Sequence, residues 1–165
     1  MENHDGHHTE PTWKDYAAFA GVILVIIAAT LLWSHWQSLH GLEVMRIFMA
    51  MFFLVFSFFK LADIRGFATS YMGYDIIAKK INWYGYAYPF IELALGLAFL
   101  FNLNGADWVT LVITIIGAVG VGKELLRKSN IKCACLGTYI NLPLSTVSLT
   151  EDLLMGAMAL IMILK

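Results

Sequence analysis

Two cysteines, Cys133 and Cys135, are the only ones in a chain of 165 residues, and a single alanine separates them. They lie in a polar stretch with Lys128 and Lys132 before them and Gly137 after. Unreactive free cysteines are mostly buried, so a pair in a charged loop points to use of the sulfur. The neighbouring lysines favour thiolate over thiol, and the thiolate is both the nucleophile and the metal ligand. Two chemistries follow. The pair can cycle between a dithiol and a strained, oxidising disulfide, or its soft sulfurs can take Cu(I), Hg(II) or Zn(II) and pass the ion on. A closed structural zinc site would need two further ligands that this loop does not supply.

Other side chains with chemical potential are fewer. Glu92 follows Pro89 inside an apolar run, and Lys60 ends another. An ionisable group at the centre of a span costs about 2.5–3.5 kcal/mol on insertion scales, so such a group is expected to be paired or functional. Glu92 therefore either pairs with Lys60 near the end of the neighbouring span or tunes and carries protons with it. His4, His7 and His8 stand among Glu2, Asp5 and Glu10 in an N-terminal tail. With the cysteine pair they would be auxiliary ligands of a soft metal, though three loosely spaced imidazoles in a tail are also ordinary solvated residues. No nucleotide, phosphate or nucleic-acid motif is visible, and no Ser/His/Asp or paired-carboxylate arrangement stands out.

The elements that must position these residues are membrane spans. Apolar residues make up 59% of the chain and charged ones 14%, against roughly 45–50% and 25% in soluble domains. A bilayer core asks for about 20 apolar residues per helix. Five segments approach this: 16–36, 44–61, 83–103, 108–122 and 148–164. The fourth and fifth are short and should be extended by polar turns. All five tryptophans fall at or near a proposed span end, as in an interfacial aromatic belt. The first span has a long apolar run, an acidic leader and no small-residue cleavage site, and is read as retained.

Residues 1–14 form a mobile tail without apolar periodicity. The 62–82 loop mixes Asp63, Arg65, Asp75, Lys79 and Lys80 with Phe67, Tyr71, Ile76 and Ile77, the pattern of an amphipathic helix at the headgroups. Pro89 predicts a kink or restart in the third span. Ala94 with Ala98, Ala118 with Gly122, and the run from Gly117 to Gly120 predict close helix approaches. Ser148-Leu149-Thr150-Glu151 reads as a capping box that opens the last helix. Met155, Met158 and Met162 share one face of that helix and read as packing.

Basic residues set orientation. With the N-terminus in the cytoplasm, Lys14, Lys60, Arg65, Lys79, Lys80, Lys123, Arg127, Lys128 and Lys132 fall inside, and only Arg46 and Lys165 fall outside. The Cys133–Cys135 loop is then cytoplasmic, and the protein is a multi-pass component of a bacterial inner membrane.

From the second span onward, over residues 44–164, the chain resembles the MauE family of methylamine-utilisation membrane proteins, within the wider MauE/DoxX-like group. The resemblance rests on Ser57-Phe58-Phe59-Lys60-Leu61-Ala62-Asp63, Tyr74-Asp75, Tyr88-Pro89-Phe90-Ile91-Glu92-Leu93 with Gly96, and Cys133-Ala134-Cys135-Leu136-Gly137. It implies an all-α membrane bundle with a four-helix core, to which this chain adds one N-terminal transmembrane helix. It also implies thiol redox, in the namesake through maturation of the disulfide-rich small subunit of methylamine dehydrogenase.

Two functions follow. The first is a thiol redox relay or maturation factor, at most a thiol-disulfide exchange protein. It uses Cys133 and Cys135 with Glu92 and Lys60 in support, needs no cofactor, and works with a thioredoxin-like or other membrane or redox protein in the lipid bilayer. The second is a small copper- or mercury-type transporter whose soft-metal acceptor is the same cysteine pair, aided by His4, His7 and His8. Its layout is similar to that of heavy-metal uptake proteins with cytoplasmic cysteines.

Overall fold

The computed structural model describes residues 13–126 and 144–165. The His4, His7 and His8 tail and the Cys133–Cys135 loop lie outside the described residues. Six helices are found among the described residues: α1 (Trp13–Trp36), α2 (Leu42–Ala62), α3 (Ile64–Tyr71), α4 (Asn82–Leu100), α5 (Ala106–Leu126) and α6 (Leu144–Leu164).

Three stretches, Tyr16–Trp36, Leu42–Ala62 and Ala106–Lys123, are long and apolar enough to cross a membrane. The helices α4 and α6 have 19 and 21 residues, about 28 and 32 Å at the α-helical rise. α4 carries three tyrosines and Glu92, and α6 carries Glu151 and Asp152. Glu92 sits in the middle of α4, and Glu151 and Asp152 sit in the N-terminal half of α6. The fold is therefore a helical membrane bundle in which apolar length alone marks three of the five expected spans.

α2 packs on α4 and α5 on α6, while α1 lies on α2. Phe19 near the start of α1 meets Phe56 near the end of α2, edge to face at 6.3 Å. The two helices are thus antiparallel across the short 37–41 turn. Stacked phenylalanines carry the α2–α4 contact, with Phe53 and Phe99 at 6.0 Å and nearly parallel. The closest backbone approach is at Gly96, where a Cβ would stand 2.9 Å from Leu54 Cγ and 3.1 Å from Leu54 N.

Several expectations need correction. α6 begins at Leu144, so Ser148 and Glu151 lie inside the helix and form no N-terminal capping box there. α4 runs unbroken through Pro89, two turns from its start, with no restart. Gly85 stands four residues earlier, where the proline ring would crowd the backbone. α3 does form in the 62–82 loop, but its apolar residues Phe67, Ala68 and Tyr71 are buried in the bundle and not turned to headgroups. Gly96, Gly117 and Gly120 are close-approach points, whereas Ala94 is exposed and Gly122 has nothing within 4 Å. Met155 is buried, and Met158 and Met162 pack against the core, as read from the sequence.

Candidate functional site

Lys60 ends α2 and Glu92 sits in the middle of α4. Lys60 Nζ donates to both carboxylate oxygens of Glu92, at 2.5 and 2.6 Å. The residues are only 7% and 5% exposed, so this is a buried ion pair. Its ammonium also lies 5.4 Å from the Phe67 ring centroid and 5.3 Å from that of Tyr88, close enough for the ring faces to attract the cation.

α3 brings the aromatic cover. Asp63 caps this helix by accepting from Gly66 N at 3.1 Å, which turns Phe67 and Tyr71 inward. Tyr71 then lies against Tyr88 at 4.5 Å with the rings tilted by 32°, and meets Tyr74 edge to face at 5.3 Å. Burial raises the Tyr71 phenol well above its ordinary range, with Tyr88 and Asp75 adding to the effect. Burial likewise raises Tyr74, followed by the negative potential of Asp152 and Glu151. Both remain neutral hydrogen-bonding groups at physiological pH.

Asp75 fixes the turn after α3. Its Oδ1 accepts from Ile77 N and Ala78 N, at 2.8 and 2.7 Å, as an Asx-type turn does. The turn fits against α5 because Gly120 has no side chain; a Cβ there would come 3.1 Å from the Tyr74 carbonyl oxygen. Gly117, one turn earlier, accommodates Asp152 in the same way. Between these elements lies a cavity of about 50 Å³, lined among others by Lys60, Tyr88, Glu92, Thr110, Glu151 and Asp152. It has room for a very small number of waters. Thr110 is fully buried, and its hydroxyl, like Glu151 Oε1, has no hydrogen-bond partner among the described residues.

The structure thus brings Lys60 and Glu92 together, as their positions in the sequence suggested. It adds Glu151 and Asp152, which a capping reading had assigned to a helix start, and the tyrosines Tyr71, Tyr74 and Tyr88. The available signal for the acids was their adjacency at the head of an apolar run. Among the described residues, no group of three or more His, Cys, Asp or Glu is arranged to hold a metal ion.

The cavity runs along the bundle interior, lined from Phe52 to Lys60 on α2, from Thr110 to Val121 on α5, by Tyr88 and Glu92 of α4 and from Ser148 to Met155 on α6; Lys60, Val121 and Ser148 mark its end nearer the α5–α6 connection. In the sequence, residues 127–143, with Cys133 and Cys135, connect the last residue of α5, Leu126, to the first of α6, Leu144.

Comparison with known families matches residues 38–165 to the family described as methylamine utilisation protein MauE. This chain belongs to the MauE family. The MauE match starts after α1 and takes in the whole cavity, including Lys60, Glu92, Glu151 and Asp152. It also spans the cysteine pair. No curated protein and no solved structure matches the chain.

Proposed function

We propose that this MauE-family protein is a thiol redox relay of a bacterial inner membrane, with Cys133 and Cys135 as the exchanging pair and the Lys60–Glu92 cavity as its proton-handling support. The observation that carries the reading is one of sequence order: the chain's only two cysteines fall between α5 and α6, two of the helices that line the cavity of the buried ion pair and carboxylates.

The exchange balances without a cofactor. A thiolate of the pair attacks a partner disulfide, forms a mixed disulfide and expels one partner thiolate. The second cysteine attacks the mixed disulfide and expels the other. The partner gains two electrons and leaves as a dithiol, and Cys133 and Cys135 are left joined. A thioredoxin-like dithiol resets them by the same steps in reverse. The two protons leaving the attacking thiols end on the expelled thiolates, and we assign the Glu92–Lys60 pair to holding them in transit.

One constraint follows from the cysteine count. With a single pair, both thiol partners must reach the same face of the membrane. Lys60, Arg65, Lys79, Lys80 and Lys123 cluster at the cavity end, which supports a cytoplasmic location for that face.

The test is exchange between the reduced, purified chain and an oxidised thioredoxin-like protein. Cys133→Ser and Cys135→Ser should each abolish turnover, one of them should trap a mixed disulfide, and chelators should have no effect. Activity that instead follows copper or mercury supply, and weakens when residues 1–10 are deleted, would replace this reading with soft-metal transport.

A further inference from the structure

Arg46, near the start of α2, is one of only two basic residues that the charge sorting leaves on the side opposite the other nine. It lines a second, open cavity of about 310 Å³ together with Asn102, Asn104, Asp107 and Trp108. Its Nε is buried and has no hydrogen-bond partner among the described residues. Arg46 and Asp107 line one cavity, yet no ion pair joins them among the described residues, where the Lys60–Glu92 pair is formed. A cation and an anion held apart across a cavity are the complement of a zwitterion. The cavity opens where the α4–α5 turn meets the ends of α2 and α6, beside exposed Leu103 and Trp108. An exposed tryptophan at a helix end favours the depth of lipid headgroups.

We propose that this cavity binds a zwitterionic phospholipid headgroup, with Arg46 taking the phosphodiester and Asp107 a primary ammonium. Guanidinium is suited to phosphate oxygens because its planar donors match them in pairs. A primary ammonium can donate to Asp107, whereas a quaternary one cannot, so phosphatidylethanolamine is preferred to phosphatidylcholine. Phosphatidylglycerol offers Arg46 the same phosphate but brings no ammonium. The site shares no residue with the thiol reading, so this proposal does not depend on it.

The experiment is native mass spectrometry of the full chain released from micelles holding equal amounts of the three lipids. The wild type should retain phosphatidylethanolamine preferentially. Arg46→Gln should lower retention about tenfold, the effect of roughly one charge-assisted hydrogen bond. Asp107→Asn should remove the preference over phosphatidylglycerol while leaving the phosphate contact. Arg46→Lys, which keeps the charge, should fall between, and with Asp107→Asn it carries the test if Arg46→Gln does not fold. Unchanged retention in the Arg46 variants, or an unchanged preference in Asp107→Asn, would overturn the proposal. Displacement of the lipid by soluble phosphoethanolamine at matched concentration would overturn it too, and assign the cavity to a free zwitterion.

Discussion

Lys60 and Glu92 are 32 positions apart in the chain, yet the ammonium of one rests against both oxygens of the other in the bundle interior. Removing one partner leaves a buried charge uncompensated, which typically costs about 3–5 kcal/mol, whereas removing both costs far less. Lys60→Met and Glu92→Gln are therefore each expected to destabilise the detergent-solubilised protein strongly. The double variant should recover much of the loss. Denaturant titration of helix content measures all three, and additive losses in the double variant would contradict a direct pair.

Helix spacing gives a second prediction. A Cβ at Gly96 would press on both the side chain and the backbone of Leu54. Overpacking of this kind costs about 1–3 kcal/mol. Gly96→Ala should thus loosen α2 from α4, and Leu54→Ala should relieve only part of the strain because the backbone contact remains. Gly21→Ala, where nothing lies within 4 Å, should be neutral or slightly stabilising. Thermal unfolding compares them.

Much of this was legible in the sequence, for a physical reason. The bilayer admits only long apolar helices, so apolar runs revealed the bundle. A charge at depth needs a partner, so Glu92 pointed to Lys60. Glu151 and Asp152 were not legible in the same way. After Ser148 they read as a helix cap, and only a helix that begins at Leu144 carries them inward onto the cavity. Tyr71, Tyr74 and Tyr88 were obscured because aromatic residues near span ends ordinarily suit the interface. All three are buried, Tyr71 on α3, Tyr74 in the turn after it and Tyr88 on α4.

The tyrosine cluster sets an alkaline limit. Tyr71 and Tyr74 have phenols raised in the folded state, chiefly by burial, above an unfolded value of about 10. Beyond that pH the unfolded chain releases protons that the folded chain keeps, so folded stability declines as pH rises. Their contribution is fully present below about pH 10 and is lost on the way up to the folded values. Tyrosinate absorbance should show these two phenols ionising after the exposed ones, together with unfolding. Tyr71→Phe and Tyr74→Phe should shift that alkaline transition upward.

Compartment is a fourth test. A membrane-impermeant maleimide should leave Cys133 and Cys135 unlabelled in intact cells, with or without prior reduction, and label them in opened membranes. Labelling in intact cells only after reduction would place an oxidised pair outside and reverse the orientation.

The antiparallel pairing of α1 with α2 has a consequence for anything joined to the chain. The start of α1 lies at the same end of the bundle as Lys60, and the end of α6 lies at the other, beside Arg46. A partner domain fused ahead of Trp13 would therefore share a compartment with the cysteine loop, while one fused behind Lys165 would be on the far side. The helix that precedes the MauE region takes no part in lining the buried cavity, but by adding one crossing it decides by parity which end of the chain can reach the thiols.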